Sequence, residues 1–294
     1  MDRYILSIDG GGAKFPFALE LLRKLNLDYQ KFDLICGTSV GGLLGFGLNF
    51  YTLDKLTEIM EKEKKNIFKK TSWHKLKGLG GLRLAQYESN YIEEVLQRVF
   101  AEYTSKDCKV KTMAIAYDIQ NRKPKLFKSH DDHFKVWEVC RATSAAPTYF
   151  KPYSIENEGM FVEGGVISNN PSMIALAEAI KLYNSDKINI LSVGCTSNLK
   201  PIQISLGGML NWADDILDVF MDGTTNGQDY FLRNLFPDIN YIRLQANTEE
   251  EIKLDDVSDK SRLELLKLAN DVYYENSEKI LKWKLKANLL KGDK

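Results

Sequence analysis

Phe32-Asp-Leu-Ile-Cys-Gly-Thr-Ser39-Val-Gly-Gly-Leu-Leu-Gly-Phe-Gly-Leu-Asn-Phe50 is the stretch that decides how this chain is read. A short apolar run leads into Gly37-x-Ser39-x-Gly41, and a small-residue helix follows. That order suits a nucleophile elbow, a serine on a tight strand-to-helix turn with Gly37 and Gly41 leaving room for the crowded backbone. The helix N-terminus beyond it favours developing negative charge. The Gly-x-Ser-x-Gly match has little weight alone, since small residues cluster in any glycine-rich loop, so its surroundings must carry the reading.

Upstream, Tyr4-Ile-Leu-Ser-Ile8 is a strand stopped by Asp9-Gly-Gly-Gly12, and Pro16 suits the first turn of a helix through Leu25. With a strand at 32–36 and a helix at 40–49, the first fifty residues form a βαβα unit, which predicts an α/β fold with a parallel sheet. Downstream, helical spacing covers Leu53 to Phe68, Tyr91 to Phe100 and Phe134 to Arg141, and Lys111–Tyr117 and Pro124–Phe127 read as strands. Gly159-Met-Phe-Val-Glu163-Gly-Gly-Val-Ile-Ser-Asn-Asn-Pro171 repeats the strand, glycine, helix order, with Asn170 as N-cap and Pro171 as first helical residue of a helix through Leu182. Ile188–Val193 reads as a buried strand, 207–221 as a helix with Leu210, Ile216, Leu217 and Phe220 on its apolar side, and Ile239–Leu244 as a strand. Glu249 to Asp259 reads as a mobile acidic loop before a helical tail. One domain over 1–294 is expected, with a motif-bearing core at about 4–221 and a helical C-terminal extension at about 260–291.

Composition narrows the partners. The 40 basic and 40 acidic residues cancel, so no global field argues for nucleic acid. Cys36, Cys108, Cys140 and Cys195 lack CxxC spacing and read as reduced thiols rather than metal ligands. The N-terminus has no secretory pattern, which places the chain in a cytosol, and the uncharged run 34–53 holds too many glycines to read as a membrane span. Residues 61–80 carry seven lysines against two glutamates. They read either as a solvated helix end or as a contact of Lys69, Lys70 and Trp73 with anionic headgroups, with Phe68 and Leu76 able to insert. The Lys279–Lys286 tail repeats lysines and an interfacial aromatic, and reads first as packing against the body.

A serine nucleophile needs a base and an oxyanion site. Gly10-Gly-Gly12 fails the dinucleotide pattern because the third glycine falls at Phe15, and it lacks the Gly-Lys-Ser/Thr of a phosphate loop. Its bare N–H groups instead suit an oxyanion hole. Of His74, His130 and His133, none lies in a strand–turn–helix position, and His130 and His133 without a third cluster make no zinc site. Glu163 in its glycine turn is the better base; burial would raise its pKa from near 4 and improve the match to serine.

Together these segments resemble the patatin-like phospholipases. Asp9-Gly-Gly-Gly-Ala-Lys14 is similar to the family's oxyanion motif with its basic residue, and Gly37-Thr-Ser39-Val-Gly41 to its nucleophile motif. Ala142-Thr-Ser-Ala-Ala-Pro-Thr-Tyr-Phe150 and Glu163–Pro171 resemble further family segments, in family order over residues 4 to about 194. The resemblance implies a three-layer α/β/α fold. It also implies a serine–aspartate dyad without a histidine that cleaves acyl esters of phospholipids or related lipids; no metal or other cofactor is expected, and the lysine-rich segments add the expectation of a peripheral membrane surface as partner. Two departures stand out: Phe15 replaces the family's glycine after Lys14, and Glu163 replaces the dyad aspartate. The second leaves two readings, a lipid acyl hydrolase or a catalytically weak domain that binds lipid or a regulator.

Overall fold

The computed structural model describes residues 1–69, 85–185, 187–202, 212 and 216–287. Its strands are β1 (Arg3–Ile8), β2 (Leu34–Thr38), β3 (Thr112–Asp118), β4 (Lys123–Lys128), β5 (Tyr153–Ile155), β6 (Gly159–Glu163), β7 (Ile188–Asn198) and β8 (Asn240–Thr248). They form one sheet in the order β5-β6-β3-β2-β1-β7-β8, with β4 also paired to β3. The β2-β1-β7-β8 centre and the β2-β3 pair are parallel, while β4, β5 and β6 pair antiparallel.

The helices are α1 (Phe15–Leu25), α2 (Val40–Phe50), α3 (Leu53–Ile67), α4 (Ser89–Phe100), α5 (Val136–Thr143), α6 (Gly165–Ser168), α7 (Ser172–Tyr183), α8 (Ile216–Leu235), α9 (Asp259–Glu275) and α10 (Ser277–Ala287). Strand alternation sends side chains to opposite faces. Leu6 and Ile8 of β1 therefore join α1, α2 and α9 in one core, while Ile5 joins Ala175, Leu176 and Ala179 of α7 in another. Helices thus cover both faces, as a parallel sheet requires.

The pairing at β3 positions the site. β4 takes one edge of β3 along Met113–Asp118, leaving the other edge to both β2 and β6. β2 ends with Thr38 opposite Ile115, and the oppositely directed β6 ends with Glu163 opposite Ala116. Two strands meeting end to end bring Ser39 and Glu163 to adjacent register positions, although 124 residues of chain separate them.

Several sequence expectations need correction. The 249–259 loop is not a free acidic tether: Ile252 is buried, and the Leu254 carbonyl accepts the Ala13 N–H at 2.7 Å. Helix α8 extends to Leu235; Leu217 and Met221 face inward, whereas Phe220, expected on the apolar side, is 51% exposed. Leu210 and most of the 207–215 stretch lie outside the described residues. The tail, by contrast, follows its first reading: Trp283 packs between Phe32 and Tyr4, so it docks on the body. Among the described residues no helix is long and apolar enough to cross a membrane, and all four cysteines are free.

Candidate active site

Ser39 sits between β2 and α2 with φ 54° and ψ −126°, a region that ordinary residues rarely adopt. The turn is held from below. The Ser39 N–H donates to Thr143 Oγ1 at 2.9 Å, and the Thr143 hydroxyl donates to the Ile115 carbonyl at 2.6 Å. Close approach explains Gly41: a Cβ there would lie 2.2 Å from the Ile8 carbonyl oxygen. Gly37 and Gly41 face each other equally closely, so β1, β2 and the start of α2 pack backbone to backbone.

Glu163 is buried, and its carboxyl lies near enough to the Ser39 side chain for the hydroxyl to lower its pKa. Burial raises its pKa from 4.5 to about 7, against that lowering effect. Its own N–H donates to the Ala145 carbonyl at 3.0 Å, which ties the end of β6 to the small-residue loop after α5.

Gly10 faces the same point, since a Cβ on it would lie 3.3 Å from Ser39 Cβ. The glycine loop does not offer all its N–H groups, however. Gly10 donates to the Asn169 carbonyl at 3.2 Å, so its N–H is already engaged in this structure. Gly11 and Gly12 have no backbone acceptor among the described residues. Gly12 has φ +52°, and a Cβ there would lie 2.4 Å from the Leu254 carbonyl oxygen, so only glycine fits. Lys14 points its Nζ towards the Thr196 carbonyl at 3.4 Å, and its own N–H closes the loop on Gly11.

Three residues to which sequence reasoning gave no role secure this loop. Arg243 of β8 makes a bidentate pair with buried Asp9, at 2.6 and 3.2 Å, and donates also to Ser192 and Gln245. Burial opposes charge on both groups: it raises the Asp9 carboxyl against the pull of Arg243, while on Arg243 the facing Asp9 outweighs burial and raises the guanidinium. Asn169, besides accepting from Gly10, is held by α8: its N–H donates to Thr224 Oγ1 at 3.2 Å and its Nδ2 to Thr225 Oγ1 at 3.1 Å. Leu254 clamps the loop from the other side. A lone arginine within the apolar β8 run was the one available signal, because buried Asp9 demands a cation.

Ser39 and Glu163 both line a largely apolar cavity. Its walls come from α3 and α4, with Phe15, Leu43, Tyr149, Phe150 and Leu254 completing the lining. Phe68, expected as a possible membrane-inserting residue, instead lines this cavity and packs edge-on against Tyr87. Lys69 is exposed; Lys70, Trp73, His74 and Leu76 lie outside the described residues.

The described histidines stand apart from the serine. His130 Nε2 pairs with Glu178 at 3.0 Å, and His133 is exposed. His130, Asp131 and Glu178 lie close enough to suggest a metal site, but Lys128 Nζ stands 2.7 Å from Glu178 and 3.8 Å from Asp131 and supplies the positive charge there.

The chain belongs to the patatin-like phospholipase family, whose model matches residues 6–176. Patatin-like protein 2 of Oryza sativa subsp. indica is 25% identical, over 94% of this chain and 85% of its own. Human calcium-independent phospholipase A2-gamma is 30% identical over 95% of this chain, which spans only 39% of that longer protein. The cGAMP-activated phospholipase of Escherichia coli (strain TW11681) is 31% identical over 71% of this chain and 66% of its own. Among solved structures, VipD from Legionella pneumophila covers 96% of this chain and 67% of its own, with a TM-score of 0.48 and 11% identity.

Proposed function

We propose that the protein hydrolyses acyl esters of phospholipids or related lipids through a Ser39–Glu163 dyad. Glu163 takes the proton of Ser39 as Oγ attacks the ester carbonyl, and the Gly11 and Gly12 N–H groups receive the oxyanion. Glu163 returns the proton to the leaving alcohol, which departs as the acyl-serine forms. It then activates the water that releases the acid. A carboxylate near its usual pKa is a weak base towards an alcohol, so the observation that carries this reading is a buried glutamate, raised to about 7, beside a strained serine in the lining of an apolar cavity. The names of the family's relatives support the same substrate class.

Lys69, with Lys70 and Trp73, is proposed to meet anionic headgroups; Lys69 directly follows a residue of the cavity lining. Preferential sedimentation with anionic over neutral vesicles at low salt, weakening as salt rises, is the expected result. The hydrolase reading is tested by incubating the protein and Ser39→Ala with mixed phospholipid vesicles and identifying products by mass spectrometry. Free fatty acid should appear with the wild type alone. Equal release from both proteins removes Ser39 from the mechanism, and lipid binding without release leaves the non-catalytic alternative.

A further inference from the structure

We infer that the cavity is an acyl-chain ruler whose closed end, at Leu56 and Phe100, sets the preferred chain at about 10 to 15 carbons. The inference rests on the hydrolase reading only in calling the ligand an acyl group. Its own basis is the shape and chemistry of the cavity.

The cavity has a direction. Ser39 lies at the N-terminus of α2, and Val40, Leu43 and Leu44 of the first half of that helix join the lining. Beyond them Leu56, itself in the lining, packs directly on Gly47, where an added Cβ would lie 2.6 Å from Leu56 Cδ2. Phe100 closes the same end, its ring set against Phe50 and Tyr51 at 6.4 and 6.2 Å. The Tyr51 hydroxyl donates to the Val99 carbonyl at 2.6 Å, which fixes the seal. At the other end of that lining, Phe68 lies against Tyr87 and Phe150.

Helix geometry gives the length. The α3 lining runs from Phe68 back to Leu56, about 18 Å at 1.5 Å per residue, and the α4 lining from Ile92 to Phe100, about 12 Å. A fully extended peptide advances roughly 3.3–3.6 Å per three backbone bonds, so an extended hydrocarbon advances about 1.2 Å per carbon. The wall therefore accommodates about 10 to 15 carbons.

The wall is also chemically uniform. Glu63 and Lys64 line it, yet Glu63 accepts from Tyr91 and Arg98, and Lys64 pairs with Glu61 at 2.7 Å. Their heads are engaged elsewhere and their stems face the cavity, which suits an unbranched, unsubstituted chain.

The test separates binding from chemistry. Ser39→Ala protein is titrated by calorimetry with saturated fatty acids of 6 to 18 carbons. Affinity should rise by up to about fourfold per buried methylene and level off between about 10 and 15 carbons. Leu56→Phe, which fills the closed end, should move the break to shorter chains, and Phe100→Leu, which opens it, to longer ones. These opposite changes keep the test decisive if one variant does not fold. In parallel, p-nitrophenyl esters of the same acids are offered to protein retaining Ser39. A moving break without ester turnover upholds the ruler and refutes the hydrolase reading. Turnover with a break that stays fixed in both variants, or with no break up to 18 carbons, overturns the ruler and leaves the hydrolase.

Discussion

Glu163→Gln tests the base in two currencies, rate and stability. In the folded protein burial holds the Glu163 carboxyl at about 7, whereas in the unfolded chain it returns to about 4.5. The sign follows directly. The raised pKa means that stability from the protonated form is fully present below 4.5 and is lost as pH rises through 7. A shift of this size corresponds to about 3 kcal/mol by which ionised Glu163 weakens the fold above pH 7. Glutamine does not titrate, so the variant lacks this loss. Its amide brings a penalty of about 1–3 kcal/mol if the new N–H groups find no acceptor, but that applies at every pH. The informative quantity is therefore the stability gap between the two proteins. From pH 4 to pH 9 it should move by about 3 kcal/mol in favour of the variant, measured by urea unfolding of both proteins at four pH values. In the same range, wild-type kcat/KM should rise with pH and level off above about 7, and Glu163→Gln should lose about 100- to 10,000-fold. A gap that stays constant with pH, or a rate profile levelling near 4.5, refutes the argument that burial tunes this acid.

Four further outcomes are expected. Glu163→Asp leaves β6 in register but shortens the reach by one methylene, and a displacement of about 1 Å should lower kcat roughly a hundredfold on a lipid ester. Arg243→Met leaves Asp9 buried without its partner and should cost about 3–5 kcal/mol in urea unfolding, which Asp9→Asn in the same chain partly restores. Gly12→Ala forces a Cβ against the Leu254 carbonyl and should lower kcat by about ten- to a hundredfold without unfolding the protein, as circular dichroism checks. Thr225→Val removes the acceptor of the Asn169 carboxamide and should lower kcat, whereas Thr225→Ser, which keeps the hydroxyl, should not.

What was legible in the sequence was local. The Ser39 turn could be read because its glycines, apolar strand and small-residue helix are contiguous, and the α/β alternation because hydrophobic period and glycine punctuation agree over the first fifty residues. Glu163 could be singled out by its own turn, but not placed beside Ser39. That placement depends on two strands sharing one edge of β3, a pairing that no local pattern encodes. The acidic loop was misread for the opposite reason: its charges dominate its composition, while two apolar residues, Ile252 and Leu254, decide where it goes. Helix α8 exceeded its expected end because Gly223 and Gly227 weaken the helical signal without preventing the helix. That the Gly10 N–H meets the Asn169 carbonyl could not be read locally, because the two are remote in sequence.

The site concentrates the groups that oppose folding. Ser39 holds a disfavoured backbone conformation, Glu163 resists ionisation, and Asp9 with Arg243 buries two charges. Ser39, Glu163 and Asp9 lie where β2, β6 and β1 run out, and each is tied to the body: Ser39 through Thr143 to β3, Glu163 through Ala145, and the glycine loop through Arg243, Asn169 and Leu254. The apolar clusters on both faces of the sheet supply the offsetting stability and stop short of these groups on the polar side. On the cavity side, the apolar surface runs up to the serine. That asymmetry suits the proposed reaction: Gly12 lines the same opening as Ser39 and Glu163, so an ester entering by its chain would bring its carbonyl to the proposed base, nucleophile and oxyanion donor together.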